Sequence, residues 1–213
     1  MDFGRSFSFV FEDSDWFKKI AILALVSLIP IIGQFVLLGW GAEIIRRVVR
    51  GTDTPIPDLD FGAQLGDGFK LFVVSLVYSL PIIFVSFVIG IFAVVGTSLD
   101  SETSAAIILI PVICLGGIIL LLSLFIGFIL PAAIAHYAIN GKISAGLRLG
   151  EVFRMVKNNL GDYLLVFLGA IIASFIGSLG SIACGIGVLL TTVYATAMMM
   201  HLYGQAYKKA TIM

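Results

Sequence analysis

Charge is what this sequence has least of. Only 12% of its 213 residues are charged, about half the share found in soluble domains. With 60% hydrophobic residues and a mean hydropathy of +1.12, that scarcity excludes a water-soluble globular protein. Cysteine is nearly absent too. Cys114 and Cys184 are isolated in apolar surroundings, so neither a disulfide framework nor a thiolate zinc site can be read from them. Thirteen basic and thirteen acidic residues cancel, leaving no net field to recruit nucleic acid. The longest polar stretch, 51–69, is too short to bury a core of its own. No G-x-S-x-G, H-E-x-x-H, C-x-x-C or P-loop motif is present. We therefore expect no enzyme activity, no cofactor and no bound metal.

What the sequence does have is long uncharged runs. There are 23 uncharged residues between Lys19 and Glu43, 29 between Lys70 and Asp100, 39 between Glu102 and Lys142, and 45 between Asp162 and Lys208. A bilayer core about 30 Å thick takes roughly 20 helical residues to cross. Strands would leave backbone groups unsatisfied in lipid, so the expected fold is all-α, a polytopic transmembrane bundle forming one integral membrane domain over 1–213.

Lysine and arginine positions select the threading. The first run breaks at Pro30-Ile31-Ile32-Gly33 into helices of about 15–29 and 33–50. Single helices at 70–96 and 105–139 follow, and 163–207 divides at the Gly/Ser stretch 177–185. This six-helix reading puts all thirteen basic residues on one side, with both termini cytoplasmic in a prokaryotic plasma membrane. The opposite side carries the acidic segment 97–104, with Asp100 and Glu102. The first pair is barely long enough to span, so a re-entrant hairpin is the variant reading. The run 103–141 is too long for one upright helix; Pro131 kinks it, or Ala132–Ile139 projects toward the cytoplasm. Because the segment before residue 20 is acidic and no cleavage site follows, the first apolar run is expected to be structure rather than a signal peptide.

Two cytoplasmic connections have character. Pro55, Pro57 and several aspartates mark 51–69 as an extended loop. Within it Asp58-x-Asp60 reads as a solvated turn rather than an ion site. Over 144–160, Leu149, Val152, Phe153, Val156 and Leu160 form one stripe, with Arg148, Glu151, Arg154 and Lys157 around the rest. This is an amphipathic helix, either in the interface plane with Arg148, Arg154 and Lys157 on headgroups, or packed on the bundle as a linker.

Ionisable groups within spans are costly, and three occur: Glu43, His136 and His201, with Gln205 one turn beyond. Converging at the cytoplasmic helix ends, they would bind a metal or relay protons. Against that, Glu43 has Arg46 and Arg47 at i+3 and i+4, the spacing of a local ion pair, and the histidines can face headgroup water. Ala170, Ser174 and Ser178 repeat every four residues, a face for packing within the chain or for a homo-oligomer or membrane-protein partner. Trp16, Phe17, Phe69, Phe72, Tyr137, Tyr163, Tyr203 and Tyr207 read as an interface belt.

The order Asp15-Trp16-Phe17-Lys18-Lys19-Ile20, Ile29-Pro30-Ile31-Ile32-Gly33, Gly39-Trp40, Arg46-Arg47-Val48-Val49-Arg50-Gly51 and Pro55-Ile56-Pro57-Asp58-Leu59-Asp60-Phe61 continues with Asp67-Gly68-Phe69-Lys70 and His201-Leu202-Tyr203-Gly204-Gln205-Ala206-Tyr207. In these motifs the chain resembles the domain-of-unknown-function family four-zero-one-three of archaeal and bacterial membrane proteins. The resemblance implies a multi-pass membrane protein and supplies no activity. The midplane positions are mostly Leu, Ile, Val and Phe, with hydroxyls at Ser75, Tyr78, Ser79, Ser86 and Ser174 but no charge. The expected role is structural or accessory, with a cytoplasmic face that meets lipid headgroups or partners. The alternative is a transporter or channel for a small solute or lipid.

Overall fold

Proline and glycine set the first boundary. The computed structural model describes residues 1–52, 56–96, 101–183 and 186–212. Helix makes up 88% of the described residues, and no strand occurs among them. A short α1 (Arg5–Ser8) and a 3-10 turn (Phe9–Glu12) lead into α2 (Trp16–Ser27), which ends before Pro30. The chain reverses through Ile31, whose φ of 66° and ψ of −58° form a γ-turn closed by Ile32 N–H to Pro30 O at 2.7 Å. α3 (Ile32–Arg50) follows and ends on Gly51 in the left-handed region, φ 71°. The remaining helices are α4 (Phe61–Gly96), α5 (Ser101–Asn140), α6 (Ile143–Gly146), α7 (Leu149–Asn158), α8 (Leu160–Leu179) and α9 (Ile186–Ile212). Pro55, Asp100, Cys184 and the side chain of Glu102 lie outside the described residues.

Several boundaries differ from the sequence reading. Residues 61–69 are helix rather than loop, because Asp60 caps α4: its carboxylate accepts Ala63 N–H at 3.2 Å and its carbonyl accepts Gln64 N–H at 2.9 Å. The amphipathic segment is α7 alone, since the chain breaks at Leu147–Arg148 after the single turn of α6.

Among the described residues three helices are long and apolar enough to cross a membrane: α4 over Phe61–Val95, α5 over Ile108–Asn140, and α8 over Leu160–Leu179. The others differ for separate reasons. At 12 residues α2 rises only about 18 Å. α3 carries Glu43 and three arginines, and Thr191, Thr192, Thr196 and His201 interrupt α9.

The chain divides into two units. In the first, Met1–Ser75 with Phe128–Met213, α3 and α9 form the centre, and Trp40, Ile44, Ile45, Met198 and Leu202 are fully buried. Glycines allow the helices to approach. A Cβ at Gly39 would overlap the Gln64 carbonyl, and one at Gly68 would overlap the Phe35 carbonyl, so α3 and α4 cross nearly backbone to backbone. Gly41 faces Met200, and Gly204 faces Val48. The last turns of α5 belong here as well, with Ala132, Ala133, Ala135 and Tyr137 buried. On α8 the packed side is Gly169 and Ala173. Ser174 and Ser178 are exposed and bond carbonyls of their own helix, so the repeat of small residues does not mark the buried face. Tyr137, Tyr163 and Tyr207 are likewise internal rather than part of a surface belt, whereas Phe17, Phe69 and Phe72 are exposed.

The described residues of the second unit, Leu76–Gly127, are apolar helix, the end of α4 and the first part of α5. Leu80, Phe84, Phe87, Ile110, Ile113, Leu121 and Phe125 are all exposed. Only 11% of the α4 window and 6% of the α5 window is buried. Apolar surface on that scale marks contact with a membrane or with other apolar protein surface.

Candidate functional site

The polar side chains fall into three sets within the first unit. The N-terminal segment and α9 make one. His201 is buried, stacked on Phe9 with ring centroids 4.1 Å apart and planes 20° apart. Its Nδ1 lies 2.9 Å from Ser6 Oγ and accepts Gln205 Nε2–H at 3.1 Å. Gln205 also clamps the start of the chain, taking Asp2 N–H on Oε1 at 2.7 Å and donating to Asp2 O at 2.9 Å. Arg5 forms a two-point pair with Glu12 at 3.2 and 3.0 Å, and this hydrogen bonding holds the Glu12 carboxyl below its ordinary value.

The second set joins α5, α7 and α9. His136 Nε2 meets Glu151 Oε2 at 3.2 Å, and Nδ1 meets the Tyr207 hydroxyl at 3.1 Å. Asn140 donates to the His136 carbonyl at 2.8 Å. These bonds tie the amphipathic helix to the bundle.

The third set surrounds the end of α3. Glu43 pairs with Arg46 at 3.2 Å and Arg47 at 3.6 Å, at the i+3 and i+4 spacing visible in the sequence. Arg46 also reaches Asp67 at 2.7 Å and donates to Ala138 O at 2.8 Å, linking α3 to α4 and α5. Lys19 bridges Asp13 at 2.8 Å and Asp58 at 3.3 Å and donates to Ile56 O at 3.1 Å. Burial pushes the Asp13 carboxyl up, but bonds from Lys19 and from Asp15 N–H outweigh it and hold it low. Trp40 Nε1–H donates to Pro57 O at 2.9 Å, which fixes the far side of this loop.

The sequence-derived cluster is thus divided among these sets. His201 and Gln205 touch, while Glu43 and His136 each have partners of their own. Among the described residues no group of three or more His, Cys, Asp or Glu could hold a metal ion. The partners missed in the sequence are Ser6, Glu12, Asp67, Glu151 and Tyr207. They lie far along the chain, and no local spacing announces them.

On α7, Val152 and Val156 are buried while Leu149 and Phe153 are 63% and 50% exposed, with Arg154 and Lys157 exposed beyond them. Around the helix the order is protein-facing, apolar-exposed, then basic.

These features define a helical protein with helices suited to a membrane and polar contacts gathered at their ends. More particularly, the chain belongs to the family described as protein of unknown function (DUF4013), whose model matches residues 22–202. No curated protein and no solved structure matches it.

Proposed function

We propose that this chain is a non-catalytic integral membrane protein of the prokaryotic plasma membrane whose cytoplasmic face binds anionic lipid headgroups. Six helices pair into three hairpins that enter the membrane from the cytoplasmic side, α2–α3, α4–α5 and α8–α9, the first of them too short to cross, with both termini cytoplasmic. The observation that carries this reading is the three-sided surface of α7. Leu149 and Phe153 have no place in water but suit the acyl boundary. Arg154 and Lys157 then sit at headgroup level, where each basic charge contributes about 1 kcal/mol against an anionic surface.

The test uses the protein reconstituted in nanodiscs with a Phe153→Trp substitution. Acyl chains brominated near the headgroup should quench this added tryptophan well beyond the background from Trp16 and Trp40. Quenching should weaken when Arg154 and Lys157 are both changed to glutamine in phosphatidylglycerol bilayers. An unquenched Phe153→Trp probe would overturn the reading. So would saturable solute flux into liposomes that disappears with Glu43→Gln, since it would make the protein a transporter.

A further inference from the structure

A cavity of about 460 Å³ opens between the N-terminal segment, the end of α3 and the last turns of α9. Among the described residues three cations line it, Arg5, Arg47 and Lys208, against one carboxylate, Asp2; His201, Gln205 and Thr52 add polar groups to the wall. The cations differ in how far they are already engaged. Arg5 is paired with Glu12, and Arg47 with Glu43. Among the described residues no carboxylate pairs with Lys208. Each guanidinium has five N–H donors; Arg5 directs two of its nitrogens at Glu12, and Arg47 engages both Glu43 and the Ile56 carbonyl.

His201 adds direction. The two hydrogens of the Gln205 amide have three acceptors in reach, Asp2 O, Ser6 Oγ and His201 Nδ1; where one of them, or the Ser6 hydroxyl hydrogen, is directed at the ring, Nδ1 is the acceptor. A neutral imidazole then carries its hydrogen on Nε2. No described group accepts it. The ring is held by the Phe9 stack and the Ser6 and Gln205 bonds, so that donor is fixed before any ligand arrives. This arrangement is also unsuited to a metal, because the lone pair of Nδ1 is committed and Nε2 carries a hydrogen.

The carbonyl end of α3 would otherwise oppose an anion here. Arg47 O is covered, accepting Gly51 N–H at 2.8 Å, Thr52 N–H at 3.2 Å and Thr52 Oγ1–H at 3.3 Å. The side-chain cations at the wall then act against only the remaining carbonyls of the α3 end. The volume exceeds that of a bare phosphate and leaves room for part of an ester.

We propose that this cavity binds a phosphate-bearing anion, with Arg5, Arg47 and Lys208 supplying charge and His201 Nε2–H an oriented hydrogen bond. The site is distinct from α7 and stands whether or not that helix meets headgroups. The phosphate comes either free or as part of a lipid headgroup, and the experiment separates the two sources.

In the first arm, inorganic phosphate is titrated calorimetrically into the chain purified in an uncharged maltoside detergent. Saturable binding is expected. It should weaken about tenfold in Lys208→Gln and be largely retained in Lys208→Arg, as for a charge-assisted contact. Lys142→Gln, a control of equal charge change away from the cavity, should leave it unchanged. In the second arm, phosphatidylglycerol retained per chain is measured after extraction from mixed bilayers. A Lys208-dependent loss of retained lipid, with no binding of free phosphate, supports the site and assigns the source to a headgroup. The proposal is overturned if neither phosphate binding nor lipid retention responds to Lys208→Gln, or if Lys142→Gln lowers both as much.

Discussion

Gly39 and Gly68 show how much can rest on single residues. The sequence offers 23 glycines with nothing to rank them. The structure separates those that permit contact from those that do not. Any side chain at Gly39 or Gly68 meets a backbone carbonyl of the neighbouring helix, which cannot rotate away, whereas Gly90 has nothing within 4 Å of a Cβ position. Gly39→Ala and Gly68→Ala should therefore each destabilise at or above the upper end of the usual overpacking cost of about 1–3 kcal/mol. Gly90→Ala should be neutral or gain about 0.5–1 kcal/mol from helix propensity. Thermal unfolding in detergent reads the difference, and equal midpoints for Gly68→Ala and Gly90→Ala would remove the close crossing. The candidate site was legible to the same limited depth. The pairing of Glu43 with Arg46 and Arg47 follows from spacing within one helix. The bond from His136 to Glu151 spans 15 residues and that from Arg46 to Asp67 crosses between helices, so no periodicity carries them.

At the scale of elements, hydrophobic runs and breakers marked most helices, and the failures have local causes. Asp60 begins α4 inside a stretch whose prolines and aspartates read as loop, because an N-cap and a turn draw on the same residues. The α2–α3 hairpin shows what length decides. α2 rises about 18 Å against a hydrocarbon core of about 30 Å. Its tip is apolar and exposed: Leu28 58%, Ile29 42%, Ile31 70% and Ile32 43%. Several backbone groups at the tip are bonded internally: Ile29 N–H to Val26 O at 3.0 Å, Gly33 N–H to Ile29 O at 2.9 Å, and Ile32 N–H to Pro30 O in the γ-turn at Ile31. A turn built for water would expose polar side chains, while one built for lipid needs closed backbone bonds and an apolar surface. On the proposed topology the hairpin is therefore expected to stop inside the bilayer instead of reaching the far surface. With Cys114 and Cys184 replaced by serine, Ile31→Cys should resist an impermeant thiol reagent in intact cells and in inverted vesicles alike. Labelling in intact cells would show that the hairpin crosses.

For the whole molecule, the distribution of charge and the thickness of the apolar unit lead to the same orientation. No charged residue lies within 76–95 or 108–127, and each of these 20-residue stretches rises about 30 Å, one hydrocarbon thickness. The fourth helix was legible as too long for one crossing, and the reason lies in the first unit: the turns from Phe128 onward are buried in protein, so they need no lipid. Below Leu76 and beyond Gly127 come Lys70 and Lys142, the nearest basic residues on the two helices. The connection between the arms contributes only acids, Asp100 and Glu102. Basic residues resist translocation and acids contribute little to orientation, so on the proposed topology the α4–α5 hairpin is expected to point outward with Lys70 and Lys142 in the cytoplasm. In the same cysteine-free background, Glu102→Cys should react with an impermeant thiol reagent on intact cells. Lys142→Cys should react only after lysis. The reverse pattern would invert the hairpin and move the phosphate cavity, α7 and both termini to the outer face.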